Sequence, residues 1–154
     1  MTLSEIKKTI DDNPNDQLLG ATLRKLLDSE KYYEERPWGY FEVLLATPTY
    51  KVKRFVVKPG CRLSYQHHRY RCEHWLVLGG VGRFTLNAKN IPVSANDTLY
   101  IERGDLHRVH NIGMEDLVII EVQFGDKCEE SDIVRIDDDY NRNGVQQTLN
   151  LKSL

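Results

Sequence analysis

From Arg36 onward the sequence consists of short runs of β-branched and aromatic residues, each followed by a turn signal. Strand-like runs separated in this way favour a β-sandwich or barrel, because such folds need many short strands and tight turns. No alternation of strands with helices is visible, which argues against a parallel α/β sheet. The strand-like runs are YFEVLL, YKVKRFVV, HWLVL, GRFTL, DTLYI and DLVIIEVQF. The turn signals are Pro48, Pro59-Gly60, Gly79-Gly80, Asn87 to Asn90, Arg103-Gly104 and Gly113.

Residues 1 to 35 have a helical pattern instead. Ser4 is a suitable N-cap for a first helix, and the Asn13-Pro14 step would end it. A second helix is indicated by leucines at helical spacing, namely Leu18, Leu19, Leu23, Leu26 and Leu27. We therefore predict a helical N-terminal arm at 1–35, a β-barrel at 36–142 and a polar tail at 143–154. The arm would pack on the barrel or on a second subunit, with an independent partner-binding helix as the alternative.

Composition limits the partners and the compartment. A formal net charge of -2 in 154 residues gives no indication of a nucleic acid or membrane partner. The first twenty residues lack the apolar core of a signal peptide, and no apolar run approaches the ~20 residues of a membrane span. The odd number of cysteines (Cys61, Cys72 and Cys128) predicts reduced thiols. We expect a cytoplasmic protein.

Two segments, QHHRYRCEHW and GDLHRVHN, contain candidate metal ligands. Because side chains alternate along a strand, Gln66 and His68 should share one face, with Glu73 opposite them across a hairpin. His107, on a later strand, would complete a site of imidazole, carboxylate and amide donors. Such a set favours Zn²⁺, with Mn²⁺, Fe²⁺, Co²⁺ and Ni²⁺ as alternatives. His67, His74 and His110 should point to the opposite faces, and we expect His67 and His110 to be solvated or structural.

The spacing of these residues matches the two-part cupin signature, as G-x5-Q-x-H-x4-E from Gly60 to Glu73 and G-x2-H-x3-N from Gly104 to Asn111. RPWGYFEVL, YKVKRFVVKPG, LSYQHHRYRCEHWLVLGG, IERGDLHRVHN, IEVQFG and DIVRIDDDYNR resemble the type II mannose-6-phosphate isomerase domain. In many bacteria that domain is the C-terminal part of a bifunctional GDP-mannose pyrophosphorylase. The resemblance implies a mainly β fold, the cupin double-stranded β-helix (jelly-roll barrel), here with the N-terminal helical extension.

The same resemblance implies that Gln66, His68, Glu73 and His107 are zinc ligands, and it implies roles for Arg71 and His74. It does not extend to a nucleotidyltransferase half, so we expect the chain not to make GDP-mannose itself. The sequence departs from the family pattern at His68-Arg69-Tyr70, at Glu102, at Asn141 and between Asp126 and Ser131. None of these departures removes a predicted ligand. Because cupins commonly pair their barrels, we expect a homodimer.

The expected reaction is the interconversion of mannose 6-phosphate and fructose 6-phosphate through an enediol, which requires a base near C2 of the sugar. Arg71 is one candidate, as base or as electrostatic stabiliser, and Glu121 is the other, because burial in an apolar strand would raise its pKa. The cations available for the phosphate are Lys53, Arg54, Arg36 and Arg135. Two alternatives remain: a nucleotide-sugar epimerase using Tyr70 and His74, and a non-catalytic sugar- or metal-binding cupin.

Overall fold

The computed structural model describes residues 32–142 together with Lys8, Thr9 and Asp12. Within residues 32–142 the strands form two antiparallel sheets. The six-stranded sheet has the order β1-β2-β3-β10-β5-β8, and the five-stranded sheet has the order β11-β4-β9-β6-β7. The strands are β1 (Tyr32–Arg36), β2 (Gly39–Ala46), β3 (Tyr50–Val57), β4 (Tyr65–His68), β5 (Arg71–Gly79), β6 (Val81–Leu86), β7 (Lys89–Ser94), β8 (Thr98–Ile101), β9 (His107–Asn111), β10 (Leu117–Gly125) and β11 (Ile133–Asp137). A 3₁₀ turn, Glu130–Asp132, precedes β11.

Strict alternation along β5 and β10 gives each strand one interior face. In β5 the buried residues are Arg71, Glu73, Trp75 and Val77, and the residues between them are more exposed. The core is aromatic in the middle: Trp75 makes edge-to-face contacts with Phe55 at 5.0 Å and with Phe84 at 5.5 Å between ring centroids. Such contacts add about 0.5–1.5 kcal/mol each beyond the burial of apolar area.

Strand register divides the interior into an apolar part and a polar part. One row across β3, β10 and β5 contains Phe55, Ile119 and Val77. The row formed by Lys53, Glu121 and Trp75 comes next, and in the row beyond it Gln123 lies opposite Glu73. At the polar end of the six-stranded sheet, Lys53, Glu73 and Glu121 therefore lie at neighbouring positions and all face inward.

Two turns set the geometry around β6 and β9. Asn87 and Ala88 form a two-residue hairpin loop with φ of 46° and 68°, as a type I′ turn requires. Gly104 has φ of +86°, a conformation that glycine adopts without steric cost. Its N–H donates to the His68 carbonyl at 2.8 Å, which links the turn before β9 to the end of β4.

The prediction of a mainly β fold is confirmed, and each of the six predicted runs corresponds to a strand. The helical prediction is wrong for residues 32–35, which belong to β1, because the tyrosines there extend the sheet beside β2. The rest of the predicted arm lies outside the described residues apart from Lys8, Thr9 and Asp12, which are helical. The predicted tail at 143–154 also lies outside them.

Strand β7 was missed because Asn87 to Asn90 resembled one long turn and Pro92 follows. Pro92 is compatible with β7 because this strand lies at the edge of its sheet. Cys61, Cys72 and Cys128 are free thiols. Within the described ranges no helix has the length and apolar character needed to cross a bilayer.

Candidate metal centre and active site

Three predicted ligands meet in the interior. His68 at the end of β4, Glu73 in β5 and His107 at the start of β9 place one donor atom each within 4.8 Å of one another. His68 Nε2 lies 3.0 Å from Glu73 Oε1, and His107 Nε2 lies 3.5 Å from Glu73 Oε2. Two donors bound tetrahedrally at ~2.1 Å from one ion are roughly 3.4 Å apart. The spacing therefore fits a small divalent cation.

The state of His107 supports that fit. Its Nδ1 lies 2.9 Å from the Asp105 carbonyl, which can only accept, so Nδ1 carries the proton and Nε2 presents a lone pair. This Nε2 is buried and has no hydrogen-bond partner, and the Glu73 carboxylate lies 3.5 Å from it. Two acceptors facing each other in a buried space are stabilised by a cation between them. The donor set thus fits a metal ion.

The protonation states are also suitable for metal binding. Burial lowers the pKa of His68, with Glu73 acting in the opposite direction, so the imidazole is neutral at pH 7. Burial alone would raise the pKa of Glu73, but contacts with His68, His107 and Arg71 hold it well below its usual value. Neutral imidazole and ionised carboxylate are the forms that bind divalent metals.

Gln66 lies next to this group. It is buried and is the direct cross-strand partner of His107, so both side chains leave their sheet on the same face. The Ser64 hydroxyl donates to Gln66 Oε1 at 2.6 Å, which fixes the orientation of the amide. Gln66 also lines the pocket described below. The position suits an amide oxygen ligand, and that role remains a prediction.

Arg71 is buried beside the cluster and is fully engaged. Its Nε donates to Glu73 Oε1 at 2.9 Å, and its Nη1 donates to the Glu129 carbonyl at 2.9 Å. Burial would lower the pKa of Arg71, but the carboxylates of Glu73 and Glu121 raise it above its usual value. The guanidinium therefore stays charged and cannot accept a proton at neutral pH.

Glu121, unlike Arg71, can gain or lose a proton near neutral pH. Burial and the negative charge of Glu73 raise the pKa of Glu121. Lys53 acts in the opposite direction, and the resulting pKa is about 8. Trp75 Nε1 donates to Glu121 Oε1 at 3.1 Å, and Gln123 Nε2 donates to Glu121 Oε2 at 2.9 Å. The carboxyl is thus held in a fixed orientation, and its pKa is suited to proton transfer near neutral pH.

A pocket opens beside Glu121 and encloses about 490 Å³, part of it continuous with solvent. Five cationic and two acidic side chains line it, so the pocket favours an anionic ligand. The cationic residues are Arg36, Lys53, Arg71, Arg135 and Arg142, and the acidic ones are Glu121 and Glu130. Aromatic and apolar residues complete the wall, among them Trp38, Phe41, Phe55 and Leu63.

Three of the predicted phosphate-binding residues line this pocket, namely Arg36, Lys53 and Arg135. Arg54 does not, because its neighbour Lys53 takes the inward face of β3 and Arg54 pairs instead with Glu42 at 2.9 Å. The prediction for Arg54 is therefore not supported by its position.

His74 is also absent from the site. It lies on the exposed side of β5, between inward-facing Glu73 and Trp75, and its ring contacts Tyr100 at 4.5 Å between centroids. Tyr70 is exposed as well and does not line the pocket. The His–Tyr acid–base pair that an epimerase would require is therefore not assembled in the pocket.

Sequence reasoning missed four participants: the indole of Trp75, Gln123, Glu130 and Arg142. The alternation in β5 and β10 could have indicated the first two, since they share a face with Glu73 and Glu121. Glu130 and Arg142 reach the pocket only through the pairing of β11 with β4, which no local pattern reveals.

The two sheets and the His-Glu-His cluster define a double-stranded β-helix with a candidate metal centre. Solved structures of low sequence identity share this fold. A protein of Klebsiella pneumoniae described as having a double-stranded β-helix domain has a TM-score of 0.60 at 18% identity, covering 68% of this chain and 90% of that one. The capsular polysaccharide assembling protein CapF of Staphylococcus aureus has a TM-score of 0.63 at 21% identity, covering 88% and 46%.

The family profile described as "Mannose-6-phosphate isomerase C-terminal" matches residues 26–138, and the chain belongs to this family. Its relatives include a mannose-1-phosphate guanylyltransferase of Escherichia coli, 42% identical over 107 residues, or 70% of this chain and 23% of that protein. The alginate biosynthesis protein AlgA of Pseudomonas aeruginosa is 41% identical over 107 residues, covering 70% and 22%. The chain thus spans less than a quarter of the length of these relatives.

Proposed function

We propose that this chain is a metal-dependent aldose–ketose isomerase that interconverts mannose 6-phosphate and fructose 6-phosphate. One observation carries the proposal: a buried carboxyl, Glu121, lies between a candidate metal cluster and a pocket lined by cations. Family membership supports it, since the family is described by this activity. The reaction needs a proton acceptor near C2, stabilisation of negative charge on oxygen and a site for the phosphate.

The metal site would consist of His68, Glu73 and His107, with Gln66 as the fourth ligand. Zn²⁺ is the metal that this donor set favours. When bound, the metal would act as a Lewis acid that polarises the sugar carbonyl. The protein's own task is to orient both imidazoles, which the Asp105 carbonyl does for His107 by accepting a hydrogen bond from its Nδ1.

Glu121 would move the proton between C1 and C2. The carboxylate removes the proton from one carbon, and the resulting acid returns it to the other carbon of the enediol. A single group can do both because a pKa near neutrality favours neither form strongly. Trp75 and Gln123 fix the direction of its two oxygens.

Arg71 would act as a permanent positive charge. Its guanidinium lines the pocket and is fixed by Glu73 and the Glu129 carbonyl. A fixed cation that needs no reorganisation stabilises the negative charge that develops on the enediol oxygens. Arg36, Lys53 and Arg135, which line the same pocket, would bind the phosphate.

The test is an isomerase assay on purified protein with mannose 6-phosphate, following fructose 6-phosphate. Chelated protein should be inactive and should regain activity with Zn²⁺, Mn²⁺, Co²⁺ or Ni²⁺. Glu121→Gln should lower kcat by about 10²–10⁴-fold while metal content stays unchanged. His74→Ala is the matched control and should retain activity, because His74 faces away from the pocket.

Absence of turnover with all four metals would refute the proposed reaction. Full activity of the Glu121→Gln variant would remove Glu121 from the mechanism. Full activity after chelation, confirmed by metal analysis, would contradict the metal-dependent mechanism.

A further inference from the structure

Glu130 occupies the centre of the cationic part of the pocket. Its Oε1 accepts a hydrogen bond from Lys53 Nζ, and its Oε2 lies 3.9 Å from Arg36 Nη2. Both cations also lie over the ring of Phe41, at 4.5 Å for Lys53 and 5.3 Å for Arg36. A carboxylate therefore occupies the place where two cations converge on an apolar wall.

The turn that carries Glu130 is fixed to the rest of the site. Asp132 accepts hydrogen bonds from the backbone N–H groups of Arg69 and Tyr70, at 3.0 and 3.2 Å. Arg71 holds the same turn through the Glu129 carbonyl. Glu130 is thus presented to Lys53 by an anchored backbone, while its own side chain remains partly exposed and can rotate away.

The charges around Glu130 also favour its position beside Lys53 and Arg36. Burial would raise the pKa of Glu130, but Lys53, Arg71 and Arg36 lower it below its usual value, so the carboxylate is ionised at pH 7. Lys53 is almost completely buried, and a buried ammonium needs an anionic partner. Without a ligand, Glu130 provides that partner.

We propose that Glu130 is an internal competitor for the anion subsite formed by Lys53 and Arg36, and that a phosphate group must displace its carboxylate in order to bind. This deepens the proposed function and rests on it for the identity of the sugar phosphate. Glu130 keeps Lys53 paired in the free protein and rotates outward when a doubly charged phosphate takes its place. It therefore sets the affinity of the pocket for phosphate.

The test measures binding of inorganic phosphate by calorimetry, in the presence and absence of EDTA so that binding to a metal is recognised. Glu130→Gln should bind phosphate about fivefold more tightly than the unchanged protein, because a competing ion pair of roughly 1 kcal/mol is removed. Glu129→Gln removes the same charge from the exposed neighbouring residue and should stay within about twofold of the unchanged protein. Lys53→Met should abolish the binding.

Equal or weaker binding by Glu130→Gln, with an unchanged melting temperature, would overturn the inference, as would phosphate binding that survives Lys53→Met. If Glu130→Gln melts early, Glu130→Ser replaces it under the same criterion. The binding assay involves no turnover, so failure of the competitor hypothesis can be distinguished from failure of the proposed reaction. An active isomerase with no gain in Glu130→Gln refutes only the competitor, whereas tighter binding in an inactive protein refutes only the reaction.

Discussion

Glu73 and Glu121 share one hydrogen-bond donor: the indole Nε1 of Trp75 lies 3.1 Å from Glu73 Oε2 and 3.1 Å from Glu121 Oε1. The two carboxyl groups differ sharply in pKa, with Glu73 well below its usual value and Glu121 at about 8. Their environments therefore separate an ionised carboxylate, suited to binding a metal ion, from a carboxyl group suited to proton transfer near neutral pH. The indole links the two at a fixed distance.

Replacing Trp75 with Phe should weaken catalysis more than folding. The variant keeps most of the aromatic volume but removes the shared N–H, so Glu121 loses one of its two orienting donors. We expect kcat to fall by about tenfold with metal content unchanged, and the pH midpoint of kcat to move. A shift in KM alone would contradict this role. Phe84→Leu, in the same aromatic cluster but without a polar contact, is the control for packing effects.

Removal of His107 should abolish metal-dependent stabilisation. A ligand that binds only the folded state raises its stability by RT ln(1 + [L]/Kd), which is about 2.7 kcal/mol at a hundredfold excess over Kd. Zn²⁺ should therefore raise the melting temperature of the unchanged protein but not of His107→Ala. His110→Ala should behave like the unchanged protein, because His110 lies outside the three-residue metal group. Equal stabilisation of His107→Ala by Zn²⁺ would argue against His107 as a ligand.

Two adjacent glycines should respond very differently to alanine. At Gly80, with φ of +85°, a Cβ would lie 2.5 Å from the Asp116 carbonyl oxygen, whereas at Gly79 nothing lies within 4 Å of it. We expect Gly80→Ala to lower the free energy of unfolding by about 1–3 kcal/mol or more, and Gly79→Ala to change it by about 0.5 kcal/mol or less. Urea denaturation of both variants measures the contrast, and similar values would refute the steric argument.

Asp138 should stabilise the protein at neutral pH and not in acid. Burial would raise the pKa of Asp138, but hydrogen bonds from Arg142 lower it below its usual value. A group whose pKa is lowered by folding stabilises the protein above its unfolded pKa of about 3.9, and this is lost as pH falls through the folded pKa. Asp138→Asn should cost about 1–3 kcal/mol at pH 7, and the difference should shrink below pH 4.

Asp139 provides the comparison for that measurement. It also pairs with an arginine, Arg62, at 2.6 Å, but both partners are exposed. Exposed pairs contribute about 0–1 kcal/mol, so Asp139→Asn should have a smaller effect at pH 7. Equal losses for Asp138→Asn and Asp139→Asn would show that burial of the pair is not the source of stability.

The sequence allowed prediction of those parts of the site that depend on local alternation. Gln66 and His68 share a face because they are two residues apart in β4, and Glu73 faces inward for the same reason in β5. Alternation also shows that Lys53 and Arg54 differ in direction, but not which of them faces the core, so the sequence could not distinguish between them.

The remaining site residues could not be predicted because their positions depend on pairing between strands that are far apart in the sequence. Glu130 and Arg142 line the pocket although no strand-like run was recognised around them, because β11 pairs with β4, more than sixty residues earlier in the chain. The convergence of a turn, an arginine and Lys53 depends on sheet order, which cannot be deduced from the periodicity of any single strand.

The pocket is lined both by Arg36, at the end of β1, and by Arg142, the last residue of the described range. A ribosome synthesises the chain from the N-terminus, so most of the barrel emerges before the final cation. A nascent chain therefore cannot present all five pocket cations until β11 has paired with β4 and Arg142 has been released. Loss of the residues around Arg142 by proteolysis would then remove one of the pocket cations before it removed the core.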